Sequence, residues 1–360
     1  MAAPRVAIAG GGTGGHIEPA LNLADELRRR DPATHITVLG TAKGLETTLV
    51  PQRGYDLELI APVPLPRRPG KELVTLPGRL RTSVAGARQI LADNNSQILV
   101  GFGGYVSIPA YLAARRSGLP FVVHEANARP GVANRVGARL TPFVAENYSG
   151  TLPHAQRLGC PLRQAITDLD RPTVRAQGRD YFGLAPDGPV LLVFGGSQGA
   201  ASINGALAGA LPALLAAGVQ VLHAVGPRQA DRGTATPGYH PVPFIDRMDL
   251  AYAAADLAVC RSGAMTCAEV AAVGLPCLYV PYPIGNGEQR FNAEPVVAAG
   301  GGIMVVDADL TAGRLAAEVI PLITDDRRLA DMGARAAAYG IRDGAARLAD
   351  MVTRAAEEGR

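Results

Sequence analysis

The feature that most constrains the fold of this chain is a pattern that occurs twice: an apolar run ends in a glycine-rich loop and continues into a helical segment. The first copy begins with Val6–Gly11, and the second begins 185 positions later with Leu191–Gly196. A buried strand that turns at glycines into a helix is the opening unit of a Rossmann-like domain. The duplication therefore predicts two such domains, and 360 residues are enough for both because a domain usually takes roughly 100–200 residues.

Short apolar runs recur along both halves, and they are apolar throughout rather than alternating with polar residues. The predicted strands are Val6–Ala9, Ile36–Leu39, Ile98–Val100, Phe121–Val123, Val190–Phe194, Val219–Leu222, Leu257–Val259, Cys277–Val280 and Ile303–Val306. The segments between them predict helices, among them Pro19–Arg30, Ile108–Arg116, Ser202–Ala216 and Ala264–Val273. Strands of this kind alternate with helices when a parallel sheet is covered on both faces. The predicted class is therefore α/β, doubly wound.

The predicted domain boundary lies in residues 147–163, a stretch that mixes proline, glycine and polar residues. We expect one domain over residues 1–162 and a second over 163–340. Two Rossmann-like domains whose parallel sheets face one another would place a ligand in the cleft between them, at the carboxyl ends of the strands.

Composition excludes several classes of protein. The chain is 48% hydrophobic and 19% charged, which indicates a folded chain, and its net charge of +3 argues against a dedicated nucleic-acid binder. Its four cysteines form no CxxC pair and have no histidine at metal-ligand spacing, which argues against a zinc site or a disulfide scaffold. These cysteines are Cys160, Cys260, Cys267 and Cys277.

Targeting and membrane signals are also lacking. The first apolar run has no separate signal-peptide region ahead of it. The uncharged stretch 188–227 is interrupted by Pro212 and Gly218, so it predicts a strand, a loop, a helix and a strand rather than a membrane span. We expect a protein that is soluble or at most peripheral to a membrane.

Both glycine-rich loops are candidates for binding a diphosphate. Gly10–Gly15 fits the dinucleotide pattern G-x-G-x-x-G, but a nicotinamide site also needs an acidic residue at the end of the second strand, and Glu46 lies too far along. In Gly195–Ala200, glycines let the backbone approach an anion, the following helix directs N–H groups outward, and Ser197 adds a hydroxyl donor. The alternative for either loop is a tight strand-to-helix turn without a ligand.

Two further polar clusters follow predicted strands of the second half. In Arg261–Glu269, a carboxylate about 1.5 turns into a helix could accept both hydroxyls of a ribose, while backbone groups near Ala264 could bind a base edge. Gly285–Asn292 gathers amides and a carboxylate, which suit a sugar. The alternatives are a Ser-capped helix with a solvated glutamate and a plain polar loop.

In the first half, His16 closes the first glycine-rich loop. A histidine there could act as a general base near neutral pH or donate to an oxyanion, and the alternative is a capping residue without a role in proton transfer. His124, Glu125 and Asn127 follow the strand Phe121–Val123.

Seven segments, in this order along the chain, resemble the MurG family of peptidoglycan glycosyltransferases. They are residues 10–21, 101–110, 124–135, 159–163, 195–200, 261–276 and 285–293, and they span nearly the whole chain. The resemblance implies a GT-B fold and transfer of N-acetylglucosamine (GlcNAc) from UDP-GlcNAc to the C4 hydroxyl of N-acetylmuramic acid in undecaprenyl-linked lipid I. The product would be lipid II, formed with inversion and without a cofactor or metal. One departure is Glu288-Gln289, where the family often has two glutamines.

The resemblance also implies roles for residues that match the motifs. Thr13, Gly14 and Gly15 would face the donor diphosphate and the acceptor, and Asn127 would contact the transferred sugar. The nucleotide and its phosphates would be held by Arg163, Ser197, Gln198 and Gly199. Uracil and ribose would be bound by Ile245, Ala264, Met265, Thr266, Cys267, Ala268 and Glu269, with Glu269 on the diol. Gln289 and Asn292 would recognise the GlcNAc hydroxyls. His16 is the candidate base, and Glu125 and His124 are orienting or alternative groups.

A lipid acceptor requires access to a membrane surface, and residues 65–81 mix leucines with basic residues. The candidate membrane contacts are Arg67, Arg68, Lys71, Leu73, Leu76, Arg79 and Leu80. We expect Pro77 to interrupt any long helix here, and a solvated loop region is the alternative. The resemblance implies a peripheral protein on the cytoplasmic face of the cell membrane, with other cell-wall synthesis proteins as expected partners. Residues 345–358 predict an amphipathic helix, which the resemblance implies packs back on the first domain, over about 341–360.

Two other functions stay open at this point. A UDP-GlcNAc 2-epimerase would share the fold and the nucleotide but need no lipid acceptor. A nicotinamide-dependent oxidoreductase is more remote because of the missing acidic residue after Leu39. The basic and apolar segment 65–81 and the residues around Asn127 favour the transferase.

Overall fold

The chain folds into two units, and the first of them is discontinuous. The computed structural model describes residues 4–63, 71–196, 199–227, 236–284 and 286–359, with residues 71–74 described by their backbone only. Unit 1 comprises residues 1–162 and 343–360, and unit 2 comprises residues 163–342. Within the described ranges, none of the helices has the length and apolarity that a membrane-spanning helix needs.

Unit 1 is built on a parallel sheet of seven strands in the order β3-β2-β1-β4-β5-β6-β7. The strands are β1 (Arg5–Gly10), β2 (His35–Gly40), β3 (Asp56–Leu59), β4 (Ile98–Gly103), β5 (Phe121–Glu125), β6 (Val144–Glu146) and β7 (Gln156–Arg157). Ile8 of β1 lies between Val38 of β2 and Val100 of β4. All three side chains are fully buried, which explains why these strands are apolar throughout.

Helices cover both faces of this sheet. They are α1 (Gly14–Arg30), α2 (Glu46–Gln52), α3 (Lys71–Asp93), α4 (Ser107–Arg116), α5 (Val132–Gly137) and α14 (Gly344–Glu358). Val6 and Ile8 pack into a core with α1 and α14, whereas Ala7 and Ala9 pack into a second core with α3 and α4. The helix α14 therefore completes the core of unit 1, although it follows unit 2 in the sequence.

One expectation about local structure is wrong. Pro77 was expected to interrupt any long helix here, but α3 runs continuously from Lys71 to Asp93 with Pro77 inside it. A proline removes one helical hydrogen bond and disfavours the turn before it, but packing of the following turns on the core can outweigh this cost. Leu80 and Val84 supply such packing.

Unit 2 contains a parallel sheet of six strands in the order β10-β9-β8-β11-β12-β13. Its strands are β8 (Val190–Phe194), β9 (Gln220–Ala224), β10 (Tyr239–Val242), β11 (Leu257–Cys260), β12 (Cys277–Tyr279) and β13 (Gly302–Met304). Its helices are α6 (Gln164–Thr167), α7 (Arg171–Tyr181), α8 (Ala201–Ala216), α9 (Met248–Ala254), α10 (Ala264–Ala272), α11 (Glu288–Ala298), α12 (Ala312–Ile323) and α13 (Asp326–Tyr339). The predicted α/β class with doubly wound parallel sheets is confirmed.

The strand order of each sheet reverses beside the strand that carries a glycine-rich loop. In unit 1 the chain moves outward from β1 to β2 and β3, then returns to β4 on the other side of β1; in unit 2 the same reversal occurs at β8 and β11. Open α/β sheets bind their ligands at such switch points, beyond the carboxyl ends of the strands. Each unit therefore has its own candidate site, and the motifs found in the sequence lie there.

Candidate active site

The first glycine-rich loop joins β1 to α1 in unit 1, and His16 lies in the first turn of that helix. Thr13 is the N-cap residue, and its Oγ1 lies 3.0 Å from His16 Nδ1. A Cβ on Gly103 would stand 3.1 Å from His16 Nε2, so the absence of a side chain at Gly103, whose φ is +94°, leaves room for the imidazole. His16 is half-buried, with its ring oriented by Thr13.

Glu125 ends β5 and organises the loop that contains Asn127. Its carboxylate is buried and accepts hydrogen bonds through both oxygens. Oε1 accepts from the Asn127 backbone N–H at 2.9 Å and from its Nδ2 at 3.3 Å, while Oε2 accepts from Gly131 N–H and Asn134 Nδ2, both at 3.0 Å. This arrangement positions Asn127, and it leaves the carboxylate poorly placed to take a proton from a substrate.

His124 is fully buried beside Glu125. Its Nε2 lies 2.9 Å from the carbonyl oxygen of Gly159 and donates to it, while Nδ1 has no hydrogen-bond partner among the described residues. Burial lowers the pKa of His124 to about 4, only partly opposed by the hydrogen bond to Gly159. His124 is therefore neutral near pH 7 and enclosed, so its geometry suits an orienting group better than a base.

The first glycine-rich loop and the loop that contains Asn127 approach each other at Gly103, at the end of β4. The point where a Cβ of Gly103 would stand is 3.1 Å from His16 Nε2 and 3.3 Å from Asn134 Nδ2. Asn134 in turn donates to Glu125 and to the His124 carbonyl. The structure thus brings His16 and the loop of Asn127 to one region of the sheet edge.

Sequence reasoning missed one residue of this region, Glu46. Its buried carboxylate reaches back to the first glycine-rich loop, where Oε2 accepts from Gly12 N–H at 2.8 Å. Oε1 accepts from the backbone N–H of Thr41 at 2.9 Å and from its hydroxyl at 3.0 Å. Burial alone would raise the pKa of Glu46, but the hydrogen bonds from Gly12 and Thr41 outweigh it and hold the pKa below its ordinary value.

In unit 2, Glu269 and Arg163 form an ion pair although 106 positions separate them. Arg163 Nη2 donates to Glu269 Oε1 at 3.3 Å, and the Tyr252 hydroxyl donates to Oε2 at 2.9 Å. Burial first, and then the charge of Glu269, raises the pKa of Tyr252 well above its ordinary value, so this hydroxyl stays a donor. The two residues expected to hold the nucleotide and its ribose therefore meet at one point.

The helix α10 carries the rest of the predicted base and ribose contacts. Its N-cap is Gly263 rather than a serine, and Glu269 is buried, so the alternative of a Ser-capped helix with a solvated glutamate is wrong. Ala264 and Cys267 are buried, whereas Met265, Thr266 and Ala268 are half-buried. The side chain of Ile245 is also buried, so its backbone is the part that a base could reach.

Gln289 and Asn292 connect the loops after β11 and β12. Gln289 Oε1 accepts from the backbone N–H of Ser262 at 3.2 Å and of Tyr282 at 3.0 Å. Asn292 is fully buried, and its Nδ2 donates to the Ser262 carbonyl at 3.2 Å. Because the carbonyl oxygen of Gln289 is held by the backbone, its amide NH₂ is the group left to face a ligand.

The second glycine-rich loop joins β8 to α8. Ser197 and Gln198 lie outside the described residues. Gly199 has a φ of +76°, and a Cβ there would stand 2.5 Å from the Val225 carbonyl oxygen, so this position requires glycine. In the first turn of α8, Ser202 donates to Asp307 at 2.6 Å and accepts from Arg261 at 2.8 Å, which ties the helix start to the end of β11.

The candidate membrane contacts are described in part. Arg67 and Arg68 lie outside the described residues, as do the side chains of Lys71 and Leu73. Leu76, Arg79 and Leu80 are half-buried on α3. Leu80 packs against the core, and Arg79 donates to the Pro62 carbonyl at 3.2 Å, so both residues also have roles within unit 1.

Both halves of the chain match models of one enzyme family. The glycosyltransferase family 28 N-terminal domain matches residues 6–145, and the glycosyltransferase family 28 C-terminal domain matches residues 190–348. The crystal structure of Acinetobacter baumannii MurG is 25% identical and has a TM-score of 0.77, covering 98% of this chain and 99% of that one. This likeness confirms the predicted GT-B fold.

Curated relatives match over nearly the whole length. A protein from Acidothermus cellulolyticus is 58% identical, covering 98% of each chain, and one from Mycolicibacterium smegmatis is 57% identical, covering 99% of this chain and 95% of the relative. Both are named UDP-N-acetylglucosamine–N-acetylmuramyl-(pentapeptide) pyrophosphoryl-undecaprenol N-acetylglucosamine transferase. The order of the motifs, the two parallel sheets and these matches agree, and the chain belongs to glycosyltransferase family 28.

Proposed function

We propose that this chain transfers GlcNAc from UDP-GlcNAc to undecaprenyl-linked lipid I and so forms lipid II, the precursor used in peptidoglycan synthesis. The observation that carries this proposal is the identity of 57–58% over nearly the full length to relatives named for that transfer. The geometry of the two switch points supports it, because each sheet presents at its carboxyl edge the groups that one substrate needs.

Unit 2 is the donor-binding unit in this proposal. The Glu269 carboxylate accepts hydrogen bonds from the ribose diol, and Arg163 beside it supplies a positive charge near the nucleotide. The backbone around Ala264 and Ile245 binds uracil. Gln289 donates through its amide NH₂ to a sugar hydroxyl, and the neighbouring Asn292 holds the loop at Ser262.

The reaction is a single displacement at the anomeric carbon, with inversion. The C4 hydroxyl of the acceptor forms the new bond while the bond to UDP breaks, and UDP leaves with additional negative charge. The backbone N–H groups in the first turn of α8 and the Arg163 guanidinium stabilise that charge. Holding both substrates in line supplies much of the rate acceleration.

Unit 1 handles the acceptor. His16, oriented by Thr13, takes the proton from the attacking hydroxyl, and Thr13, Gly14 and Gly15 line its approach. Glu125 positions Asn127 toward the transferred sugar, and the buried His124 beside it donates to the Gly159 carbonyl. Glu125 and His124 are therefore positioning residues in this proposal rather than bases.

The function is tested by measuring UDP release from UDP-GlcNAc with and without a short-chain lipid I analogue, together with the product mass. We expect UDP release that depends on the acceptor, and a product heavier by one N-acetylhexosamine. UDP release without acceptor, accompanied by free N-acetylmannosamine, would instead identify an epimerase. Acceptor-independent hydrolysis or no turnover with a competent analogue would contradict the proposed transfer.

A second part of the proposal concerns the membrane. The chain acts on a lipid at the cytoplasmic face, and the region 65–81 contacts anionic headgroups through its basic residues, with leucines such as Leu76 against the acyl boundary. α3 begins at Lys71 and continues past Pro77, so the helical part of this surface is longer than the sequence predicted.

We expect co-sedimentation with vesicles of anionic phospholipid at low salt and release at high salt, because exposed charges are screened beyond about 10 Å at 0.1 M salt. Replacing Arg67, Arg68 and Lys71 together with glutamate should lower the vesicle binding constant by about 100-fold or more, because each basic residue near the surface contributes about 1 kcal/mol and about 1.4 kcal/mol corresponds to a factor of ten. The matched control replaces three exposed arginines of unit 2, Arg314, Arg327 and Arg328. Equal loss of binding in both variants would contradict a surface formed by 65–81.

A further inference from the structure

Arg261 is a buried arginine of unit 2 that the proposed substrate contacts leave out. It directly follows β11, and its side chain is 11% exposed. Nη1 donates to the carbonyl oxygens of Val280 at 3.1 Å and Pro281 at 3.4 Å, and the guanidinium carbon lies 5.2 Å from the centre of the Tyr282 ring. The backbone N–H of Tyr282 in turn donates to Gln289. Arg261 therefore contacts the segment after β12 that holds the proposed sugar-binding glutamine.

The same guanidinium forms a closed set of three polar contacts with Ser202 and Asp307. Nη1 donates to Asp307 Oδ1 in an ion pair, and Nη2 donates to Ser202 Oγ at 2.8 Å. The Ser202 hydroxyl completes the set by donating to Asp307 Oδ1 at 2.6 Å. Asp307 lies shortly after β13, and Ser202 is the second residue of α8. The Asp307 carboxylate therefore lies against the first turn of α8, and Arg261 pairs with it there.

The position of this carboxylate matters for a ligand that is itself an anion. A helix N-terminus favours negative charge, whether the charge belongs to a side chain or to a phosphate group. An unpaired Asp307 would therefore repel a diphosphate at the start of α8. The Arg261 and Asp307 side chains are only 11% and 18% exposed, so solvent would screen that repulsion poorly. Pairing with Arg261 cancels the charge of the carboxylate.

An ion pair that only braces the fold would behave differently. Buried ion pairs often add little to stability, because the cost of desolvation offsets their attraction, whereas removing one partner leaves an uncompensated charge. The sign of that charge depends on which partner is removed. A role in phosphate binding therefore predicts opposite effects on ligand affinity for changes at Arg261 and at Asp307, and a bracing role predicts the same effect for both.

We propose that Arg261 is a positioning residue for the donor diphosphate. By neutralising Asp307 and holding the Ser202 hydroxyl, it keeps the first turn of α8 favourable for the phosphates of UDP, and it acts through these two residues. The inference rests on the proposed function and adds to it an electrostatic role within unit 2. It follows that the affinity for UDP depends on this ion pair, whereas the affinity for uridine, which has no phosphates, does not.

The test compares the Kd for UDP with the Kd for uridine in the full-length protein. Calorimetry measures UDP, and a ligand-detected NMR titration suits the weaker uridine. In Arg261→Gln we expect the Kd for UDP to rise by about tenfold or more, while the Kd for uridine stays within about twofold. In Asp307→Asn we expect UDP to bind as well as before or more tightly, because the positive charge of Arg261 is then uncompensated.

Two further variants test whether charge is the cause. The double variant Arg261→Gln/Asp307→Asn removes both charges and should recover most of the lost affinity for UDP. Arg261→Lys keeps the charge but loses the planar fork, so its Kd for UDP should rise by only about threefold, and it keeps the test informative if Arg261→Gln unfolds. Equal weakening of UDP binding in Arg261→Gln and Asp307→Asn, no recovery in the double variant, a tenfold loss in Arg261→Lys, or a parallel loss for uridine would overturn the proposal.

The matched control is Arg179→Gln. Arg179 is also a buried arginine of unit 2 that pairs with an aspartate, Asp256, and it donates to the carbonyl oxygens of Ala185 and Gly188. Because these carbonyls precede β8, at the amino end of the sheet, we expect a similar loss of thermal stability but an unchanged Kd for UDP. If the unaltered protein does not bind UDP, the proposed function fails and this inference with it. If UDP binds but its Kd changes equally in Arg261→Gln and Arg179→Gln, only the role of Arg261 fails.

Discussion

Replacing Glu269 with alanine should weaken the binding of UDP-GlcNAc by about 100-fold or more. In the proposed complex the carboxylate accepts two hydrogen bonds from the ribose diol, and a hydrogen bond to a charged group contributes about 1.5–3 kcal/mol. A factor of ten in affinity corresponds to about 1.4 kcal/mol, so two such bonds account for at least two orders of magnitude. The loss should be larger still because Arg163 would no longer have its partner at 3.3 Å. Isothermal titration calorimetry measures the Kd directly.

Two variants separate ribose binding from general damage to unit 2. Tyr252→Phe removes the hydroxyl that donates to Glu269 Oε2 but leaves the carboxylate in place, so its effect on Kd should be small. Glu294→Ala removes an exposed carboxylate of α11 that pairs with Arg290, and it should leave Kd unchanged. If Glu269→Ala keeps the affinity of the unaltered protein, the carboxylate does not bind the ribose.

The strands at the centre of both sheets could be predicted from the sequence because each is a continuous apolar run. The strands that were missed lack such a run. β3 is an edge strand with exposed acidic residues, β10 is an edge strand that contains Pro241, β7 has two residues and β6 has three. β3, β7 and β10 bury little, and β6 is buried but has only three residues, so hydrophobicity carries little information about these strands.

The same reasoning explains what could be predicted of the sites. Motifs at the ends of central strands, such as Glu125 at the end of β5 or Arg261 directly after β11, necessarily lie at the carboxyl edge of a parallel sheet. Contacts between distant segments could not be predicted, because no local pattern relates Arg163 to Glu269. Side-chain direction was also beyond the sequence: Gln289 directs its carbonyl oxygen to the backbone, and Asn292 is enclosed.

Glu46 is the clearest example of a contact that could not be predicted from the sequence. The sequence placed it too far from the end of β2 to bind a ribose, and in the structure its carboxylate accepts hydrogen bonds from the backbone N–H groups of Gly12 and Thr41. The sequence could not indicate that α2 begins at Glu46 and returns the side chain to the first loop. Pro77 is a comparable case, because tertiary packing along α3 outweighs a local helix-breaking preference.

Replacing His16 with alanine should lower kcat by about 100-fold or more, since general base catalysis contributes roughly 10²–10⁴-fold. The Kd for UDP-GlcNAc should stay within about twofold of its original value, because the loss of a group that acts in the transition state need not change ground-state binding of the donor. His16 lies in unit 1, whereas the proposed donor contacts lie in unit 2. Steady-state turnover with the lipid I analogue and calorimetry with the donor measure the two effects separately.

The shape of the pH profile distinguishes a base from a capping residue. If His16 takes the proton, kcat/KM should fall at acidic pH in the unaltered protein, and His16→Ala should lose that acidic limb along with most of its rate. Thr13→Val removes the hydroxyl 3.0 Å from Nδ1 and should cause a smaller loss with the limb retained, because the ring is then less well oriented but still present. His35→Gln, at an exposed position at the start of β2, is the matched control and should behave like the unaltered protein. Near-normal turnover in His16→Ala would leave this residue with a structural role at the start of α1, and the acceptor hydroxyl would then lose its proton to another group.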